Sequence, residues 1–321
     1  MRLRHDEPIE VKTPAQLAIM REAGLVTAAA LQAAAAAAAA GISTAELDAI
    51  AARVISAAGA EPSFKGYHGY PATICTSVND QIVHGIPDAR QVLRDGDILS
   101  IDCGAIVGGW HGDSALTVRV GNVADTDDEV DRLLRACEQA MWHGLAQAVP
   151  GRRLTDISHA VEQAARAAGQ YGIIREYTGH GIGSQMHMDP VVPNYGRAGR
   201  GPVLTAGMAL AIEPMLALGS SRTRLLDDGW TVVTADGSRA AHFEHTVAVT
   251  EDGPWVLTAP DGGAAGFAGL RARPGRTRPD GTRPDGTRPG RTGPDRGGPD
   301  QAGPEEPAVA AATQGAAPDG L

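Results

Sequence analysis

Apolar residues alternate with polar or small ones along two neighbouring stretches near the middle of the chain, the pattern of a half-buried antiparallel hairpin. Leu99, Ile101 and Cys103 mark one face of the first stretch, and Leu116, Val118 and Val120 mark one face of the second. Ile106-Val107-Gly108-Gly109 joins them. A turn centred on Val107 and Gly108 would set Leu99 against Leu116, Ile101 against Ser114 and Asp102 directly against Asp113, with both aspartates facing away from the apolar side. Directly opposed Cβ atoms lie about 4.5 to 5.5 Å apart. Two carboxylates that close repel unless cations separate them, and a pair of divalent ions about 3.5 to 4 Å apart fits. A hairpin with two solvated aspartates is the plainer alternative on this pattern alone.

Helical patterns flank the hairpin. Thr13-Pro14-Ala15-Gln16 combines a capping box with proline at the first helical position and predicts a helix running to Gly41. Ser43-Thr44-Ala45-Glu46 opens a second helix that Gly59 closes, and a strand over Ala72 to Val78 precedes the hairpin. The order then recurs. Thr126-Asp127-Asp128-Glu129 caps a helix ending near Val149-Pro150-Gly151, and Thr155 opens another closing at Gly169. Strands follow around His180, from Leu210 to Glu213 and from Phe243 to Val249. This repetition predicts an α+β domain over residues 13–260, after a short arm of residues 1–12, in which two similar halves pack their sheets together.

From Asp261 onward large apolar side chains almost vanish, and Thr277 to Gly286 repeats Thr-Arg-Pro-Asp-Gly before the imperfect Thr287-Arg288-Pro289-Gly290. Such a segment buries too little surface to offset its ordering entropy, so 261–321 is expected to be a disordered tail. Its acids and bases nearly cancel, which leaves the net charge of -10 on the folded part and argues against a DNA-binding body. The tail's spaced arginines allow a weak, transient contact with an anionic surface such as ribosomal RNA, beside the plainer reading of a solvated linker. Cys75, Cys103 and Cys137 form no Cys-x-x-Cys pair, and the start Met1-Arg2-Leu3-Arg4-His5-Asp6 is not a signal peptide. A reduced, cytoplasmic protein is expected, acting as a monomer. The alanine-rich stretch Ala28 to Ala40 is too short and too weakly apolar to predict a membrane span.

Three more residues join the aspartates. His180 sits between glycines in Thr178-Gly179-His180-Gly181-Ile182-Gly183, where the backbone can bend and expose the imidazole. Glu213 interrupts the apolar run Leu210-Ala211-Ile212 before Pro214, and Glu244 is embedded in Phe243-Glu244-His245-Thr246-Val247. Charged carboxylates on half-buried strands are costly unless paired or metal-bound. Four of them with a histidine imply a metal site.

With these residues in view the chain resembles the type I methionine aminopeptidases. The matching segments are Gly66-Tyr67-His68-Gly69-Tyr70-Pro71, Val83-His84-Gly85-Ile86-Pro87, Ile101-Asp102, His111-Gly112-Asp113, Gly179-His180-Gly181-Ile182-Gly183, Ala211-Ile212-Glu213-Pro214-Met215, Gly229-Trp230-Thr231-Val232 and Glu244-His245-Thr246. The resemblance spans residues 13–258 and implies the pita-bread fold, with the site at the junction of its halves. It implies removal of the initiator methionine from nascent chains whose second residue is small.

By position it assigns Asp102 and Asp113 to one metal, Asp113, His180 and Glu213 around the other, and Glu244 as the bridge. Glu213 resembles the family's general acid/base. His187 resembles the histidine that bonds the substrate carbonyl, and His84 one near the scissile nitrogen and leaving group. Tyr67, Tyr70, Cys75, Phe64 and Trp230 are candidates for the methionine slot. Each of these could instead be an ordinary core or surface residue. The family often has an acidic residue directly after the position of His187, where this chain has Met188; the grip on substrate beyond the methionine is affected. One imidazole among carboxylates suits two divalent cations chosen from Co, Mn, Fe or Zn. The alternatives are a prolidase or Xaa-Pro aminopeptidase of the same fold, which usually carries an added N-terminal domain, and a non-catalytic binding protein, which should lack ligands.

Overall fold

The computed structural model of the chain describes residues 8–121 and 128–271. Helices α1 (Pro14–Ala37) and α2 (Thr44–Ala57) open it, and both predicted capping boxes form. Thr13 and Gln16 exchange backbone-to-side-chain hydrogen bonds, as do Ser43 and Glu46, satisfying amides that lack a partner inside the helix. Helix α1 ends before Gly41 because Ala38 turns extended, and Gly41 donates to the Leu93 carbonyl instead. By length and composition α1 would pass for a membrane span, but half of its apolar window is buried within the protein.

Its buried side, from Leu17 and Met20 through Leu31 and Ala34, covers the sheet. A Cβ on Gly112 would lie 2.7 Å from the Gly24 nitrogen, so these two glycines let the α1 backbone lie directly on a strand.

The first half continues with β1 (Glu61–Pro62), β2 (Ile74–Val78), β3 (Gln81–Val83), β4 (Ile98–Val107) and β5 (Trp110–Arg119). The β4–β5 hairpin forms, with a register two residues away from the expected one. Asp102 pairs with Ala115, Asp113 with Gly104, Leu99 with Val118 and Ile101 with Leu116. The turn is the two-residue Gly108-Gly109, at φ 56° and 81°, rather than one centred on Val107 and Gly108. Left-handed conformation at both central residues matches the twist of a tight hairpin, and glycine supplies it without strain. A two-residue shift preserves the face, so the aspartates still share one side as diagonal neighbours.

The second half begins with α3 (Glu129–Leu145) and α4 (Leu154–Ala168). Asp128 caps α3 by accepting from the amides of Val130 and Asp131; Thr126 and Asp127 of the predicted cap lie outside the described residues. Thr155 falls inside α4 rather than at its start, because its hydroxyl bonds the Arg200 backbone while Asp156 takes the Arg153 amide. Strands β6 (Gly172–Ile173), β7 (Gly179–Gly181), β8 (Met188–Val192), β9 (Ala209–Ile212) and β10 (Met215–Ala217) follow. The set closes with β11 (Thr223–Leu225), β12 (Val232–Thr234), β13 (Ala240–His242), β14 (Glu244–Thr250) and β15 (Gly253–Val256).

The main sheet runs β1-β4-β5-β14-β9-β7-β8, with β2 added on β4 and β15 on β14. The halves join where β5 meets β14, pairing Ala115 with Glu244 and Ser114 with His245. One core packs α1 and α2 on the first half through Leu31, Leu47, Leu99 and Ile101; another packs α3 and α4 on the second through Leu133, Met141, Ile157 and Leu210. Smaller sheets β13-β10-β6 and β11-β12-β3 border the junction.

Cys75, Cys103 and Cys137 are free and buried. Ordered structure continues past the expected boundary at 260. Asp261 accepts from the amides of Gly263 and Ala265, starting helix α5 (Ala264–Arg271), whose Phe267 stands edge-on to Trp142 at 5.4 Å. The repeat-bearing part of the tail lies outside the described residues.

Candidate metal centre and the adjoining apolar slot

Sheet order places the five candidate ligands on adjacent strands. Asp102 is on β4, Asp113 on β5, Glu244 at the start of β14, Glu213 just past β9 and His180 on β7. Cys75, Asp102, Ala115 and Glu244 occupy successive positions of one cross-strand row. Side chains in a row share a face, so only the methyl of Ala115 stands between two carboxylates. Asp113 stands two residues from Ala115 on the same face of β5.

Ligand atoms of Asp113, His180 and Glu244 all lie within 4.8 Å of one another. Glu213 flanks this trio, with Oε1 3.5 Å from Nε2 of His180. Asp102 stands beside Asp113, close enough that its charge raises the Asp113 pKa.

The glycines around His180 serve close approach rather than a bend. His180 lies within strand β7, where a Cβ on Gly179 would collide with the Ala211 carbonyl and one on Gly181 with the Asp189 carbonyl. The His180 ring is fixed by Nδ1, which is 3.0 Å from the Gly181 carbonyl oxygen. That bond requires the proton on Nδ1, leaving the Nε2 lone pair for a ligand. Glu213 is anchored through its backbone, its carbonyl accepting from the buried Asn194 amide at 3.1 Å.

Burial pushes all four carboxyls up. Asp102 and Glu213 are each raised to about 7, burial being the largest cause in both. Asp113 and Glu244 rise well above the usual range, with neighbouring carboxylates adding to burial. Burial lowers His180, so the imidazole is neutral near neutral pH. Asp102 Oδ1, Asp113 Oδ1 and Glu244 Oε1 are buried without a hydrogen-bond partner among the described residues. Buried acceptors with no donor, gathered beside an imidazole lone pair, fit divalent cations. The donor set of carboxylate oxygens and one imidazole suits Co, Mn, Fe or Zn.

Phe64, Tyr70, Ala72, Cys75 and Met186 form one buried apolar cluster, with Tyr67, Ile86 and Trp230 packed against it. All five expected slot residues are therefore together. Met186 joins them without having been expected, since a lone methionine in sequence reads as generic core. Tyr70 donates to the carbonyls of Ile74 and Gly85 and meets Trp230 edge-on at 5.0 Å. Cys75 pairs directly with Asp102, so the apolar cluster reaches to within one strand of the carboxylates.

His84 follows β3 at φ 61°, a left-handed conformation that a non-glycine residue holds only under local constraint. Its ring stands edge-on to Tyr177 and Trp230, and burial lowers its pKa to about 4. His187 has Nδ1 3.0 Å from the Tyr67 hydroxyl and its ring 4.3 Å from that of His180. Burial and then His180 lower His187 to about 2. Both histidines are neutral at working pH. Sequence reasoning also missed His242, buried beside Glu213 with Nε2 3.6 Å from Oε2. Its only signal was its position two residues before Glu244.

Known proteins similar to this chain point to one family. A model of metallopeptidase family M24 matches residues 18–251. A methionine aminopeptidase 1 of Mycobacterium tuberculosis is 56% identical over 262 residues, covering 80% of this chain and 97% of that protein. A Bacillus subtilis methionine aminopeptidase 1 is 51% identical over 247 residues, covering 77% and 98%. Among solved structures, a Thermotoga maritima methionine aminopeptidase superposes with TM-score 0.75 at 40% identity, covering 78% of this chain and 99% of that one. A Pyrococcus furiosus prolidase shares the fold at TM-score 0.61 and 23% identity, covering 78% of this chain and 65% of the prolidase. The carboxylate and imidazole cluster at the junction of two helix-backed half-sheets, and the match over most of its length, place the chain in metallopeptidase family M24.

Proposed function

We propose that this chain is a metal-dependent methionyl aminopeptidase that removes the initiator methionine from nascent chains whose second residue is small. One observation carries the reading. The apolar slot and the carboxylate cluster share a cross-strand row, from Cys75 through Asp102 to Glu244. An N-terminal methionine in the slot has its thioether among Phe64, Tyr70, Met186 and Trp230 and its free amine beside Asp102. The high identity to enzymes bearing that name supports the same substrate.

Asp102, Asp113, His180, Glu213 and Glu244 would hold two divalent cations. When bound, these would acidify a water and supply positive charge opposite the carbonyl oxygen. The remaining work belongs to the chain's own side chains. Glu213, raised to about 7 without metal, is suited to take a proton from the attacking water and return it to the leaving amine. If Tyr67 donates to Nδ1 of His187, Nε2 carries the proton and serves as a donor to the carbonyl oxygen as charge develops there. His84, held neutral beside Trp230, would serve the leaving-group side, as its likeness to the family histidine implies.

The spaced arginines of the C-terminal segment would allow a weak, transient contact with an anionic surface such as ribosomal RNA, beside the plainer reading of a solvated linker. Three free cysteines support a reduced, cytoplasmic setting, and action as a monomer completes the reading. In domain terms, an arm, a catalytic body to about residue 260 with α5 packed on it, and a tail divide the chain.

Cleavage of Met-Ala-Ser, its Nα-acetylated form and Lys-Ala-Ser tests the proposal. Only the free methionyl peptide should be cut. Equal cleavage of the acetylated peptide would remove the role given to the amine, and equal cleavage of Lys-Ala-Ser the role given to the slot.

A further inference from the structure

Each oxygen of Glu213 faces an imidazole. Oε1 lies 3.5 Å from Nε2 of His180, and Oε2 lies 3.6 Å from Nε2 of His242. The two contacts differ in kind. Nδ1 of His180 is engaged with the Gly181 carbonyl, so its Nε2 presents a lone pair and has nothing to donate. Nε2 of His242 is buried, with no hydrogen-bond partner among the described residues, and the Glu213 carboxylate stands just beyond bonding distance. A closing movement of a few tenths of an ångström would make the bond.

The backbone of His242 is held in place. Thr117 donates its hydroxyl to the His242 carbonyl at 2.8 Å and accepts from the His242 amide at 2.9 Å. The Thr117 hydroxyl is itself bonded to that of Ser100 at 2.8 Å, and His242 pairs with Met215 across β13 and β10. Both backbone groups of His242 are thus tied to β5 while its ring points into the junction beside Glu213.

We propose that His242 is a positioning residue for Glu213, its Nε2–H donating to Oε2 so that Oε1 stays turned toward His180 and the ligand cluster. The inference rests on Glu213 being part of the metal and proton-transfer site. Without the donor the carboxylate can rotate and place either oxygen, or neither, among the ligands. A group that fixes a ligand's orientation in this way affects metal affinity and turnover together.

The test uses the full chain with His242→Gln, which keeps an N–H donor, and His242→Leu, which removes it. Metal affinity of the chelated protein is measured by calorimetry, and kcat and KM on Met-Ala-Ser at saturating metal. His242→Leu should weaken metal binding and lower kcat by about 10-fold or more, with KM little changed, and His242→Gln should recover most of both. In a Glu213→Gln background His242→Leu should add no further loss of affinity.

Nitrogen-15 NMR of the unsubstituted protein, with the His242 ring assigned by its loss in the glutamine variant, should show the proton on Nε2. An unprotonated Nε2, or a glutamine variant as impaired as the leucine variant, or a leucine variant with normal metal affinity, would overturn the proposal. The NMR result decides it even if the leucine variant fails to fold. Normal cleavage by Glu213→Gln would instead sink the underlying site, a separate outcome.

Discussion

Stripping the metals should make the protein lose stability as pH rises through neutrality. Asp102 and Glu213 are held at about 7, against ordinary values of 3.8 and 4.5. A carboxyl whose folded pKa is raised binds its proton more tightly folded than unfolded. The protonated form therefore stabilises the fold below the unfolded pKa, and that contribution is lost as pH climbs through the folded value. The loss runs from about pH 4 to pH 7 and is complete near pH 8. Each pKa unit is about 1.4 kcal/mol, so at full ionisation Asp102 alone would account for about 4 kcal/mol and Glu213 alone for about 3 kcal/mol. The groups interact and the site can relax, so about 3 kcal/mol in total is the reasonable scale. For a domain of this size that is about 10 °C in melting temperature.

The assay is thermal unfolding of chelated protein from pH 5.5 to 8, repeated with saturating Mn or Co. About half of the loss falls within this range, so the chelated protein should melt about 5 °C lower at the alkaline end, beyond any change in the metal-loaded protein, and Glu213→Gln should flatten much of the slope. A chelated melting temperature that stays level or rises over this range would refute the reasoning. Metal binding should also release protons into the medium near neutral pH, since bound cations require the carboxylates ionised.

Other substitutions probe the geometry. Ala115→Leu fills the space between Asp102 and Glu244 and should abolish metal binding in calorimetry while costing only about 1–3 kcal/mol of stability. Asp113→Ala or Asp102→Ala should nearly abolish turnover of methionyl peptides without unfolding the chain by circular dichroism. Tyr67→Phe removes the bond to Nδ1 of His187 and should lower kcat by up to about 10-fold with little change in KM. Deleting residues 272–321 should leave tripeptide cleavage intact. Truncation after Pro260 also removes Phe267 from Trp142 and should lower the melting temperature.

Much of this architecture is written in local patterns. Capping boxes at Thr13 and Ser43 announce the first two helices, and the alternation of Leu99, Ile101 and Cys103 announces the hairpin. The register error came from the turn. Four candidate residues allow more than one centre, and Gly108-Gly109 was the decisive signal because the tight two-residue hairpin turns need positive φ at the first or at both central residues, which glycine supplies without strain. The error kept both aspartates on one face because it was even. Thr155 shows the opposite limit: a good capping residue was drawn off by the Arg200 backbone, a contact across the fold. His242 and Met186 were invisible for a similar reason. Each gains meaning from neighbours distant in sequence, Glu213 and Asp102 for the histidine, Phe64 and Cys75 for the methionine.

The assignment stands or falls on one titration. Chelated protein is supplied with Mn, Co, Fe or Zn in turn and assayed on Met-Gly-Met and on an Xaa-Pro peptide. Cleavage should be negligible without metal, return with at least one cation, and release methionine from Met-Gly-Met while sparing the Xaa-Pro bond. Full activity in the chelated protein, or cleavage of the Xaa-Pro peptide alone, would contradict it.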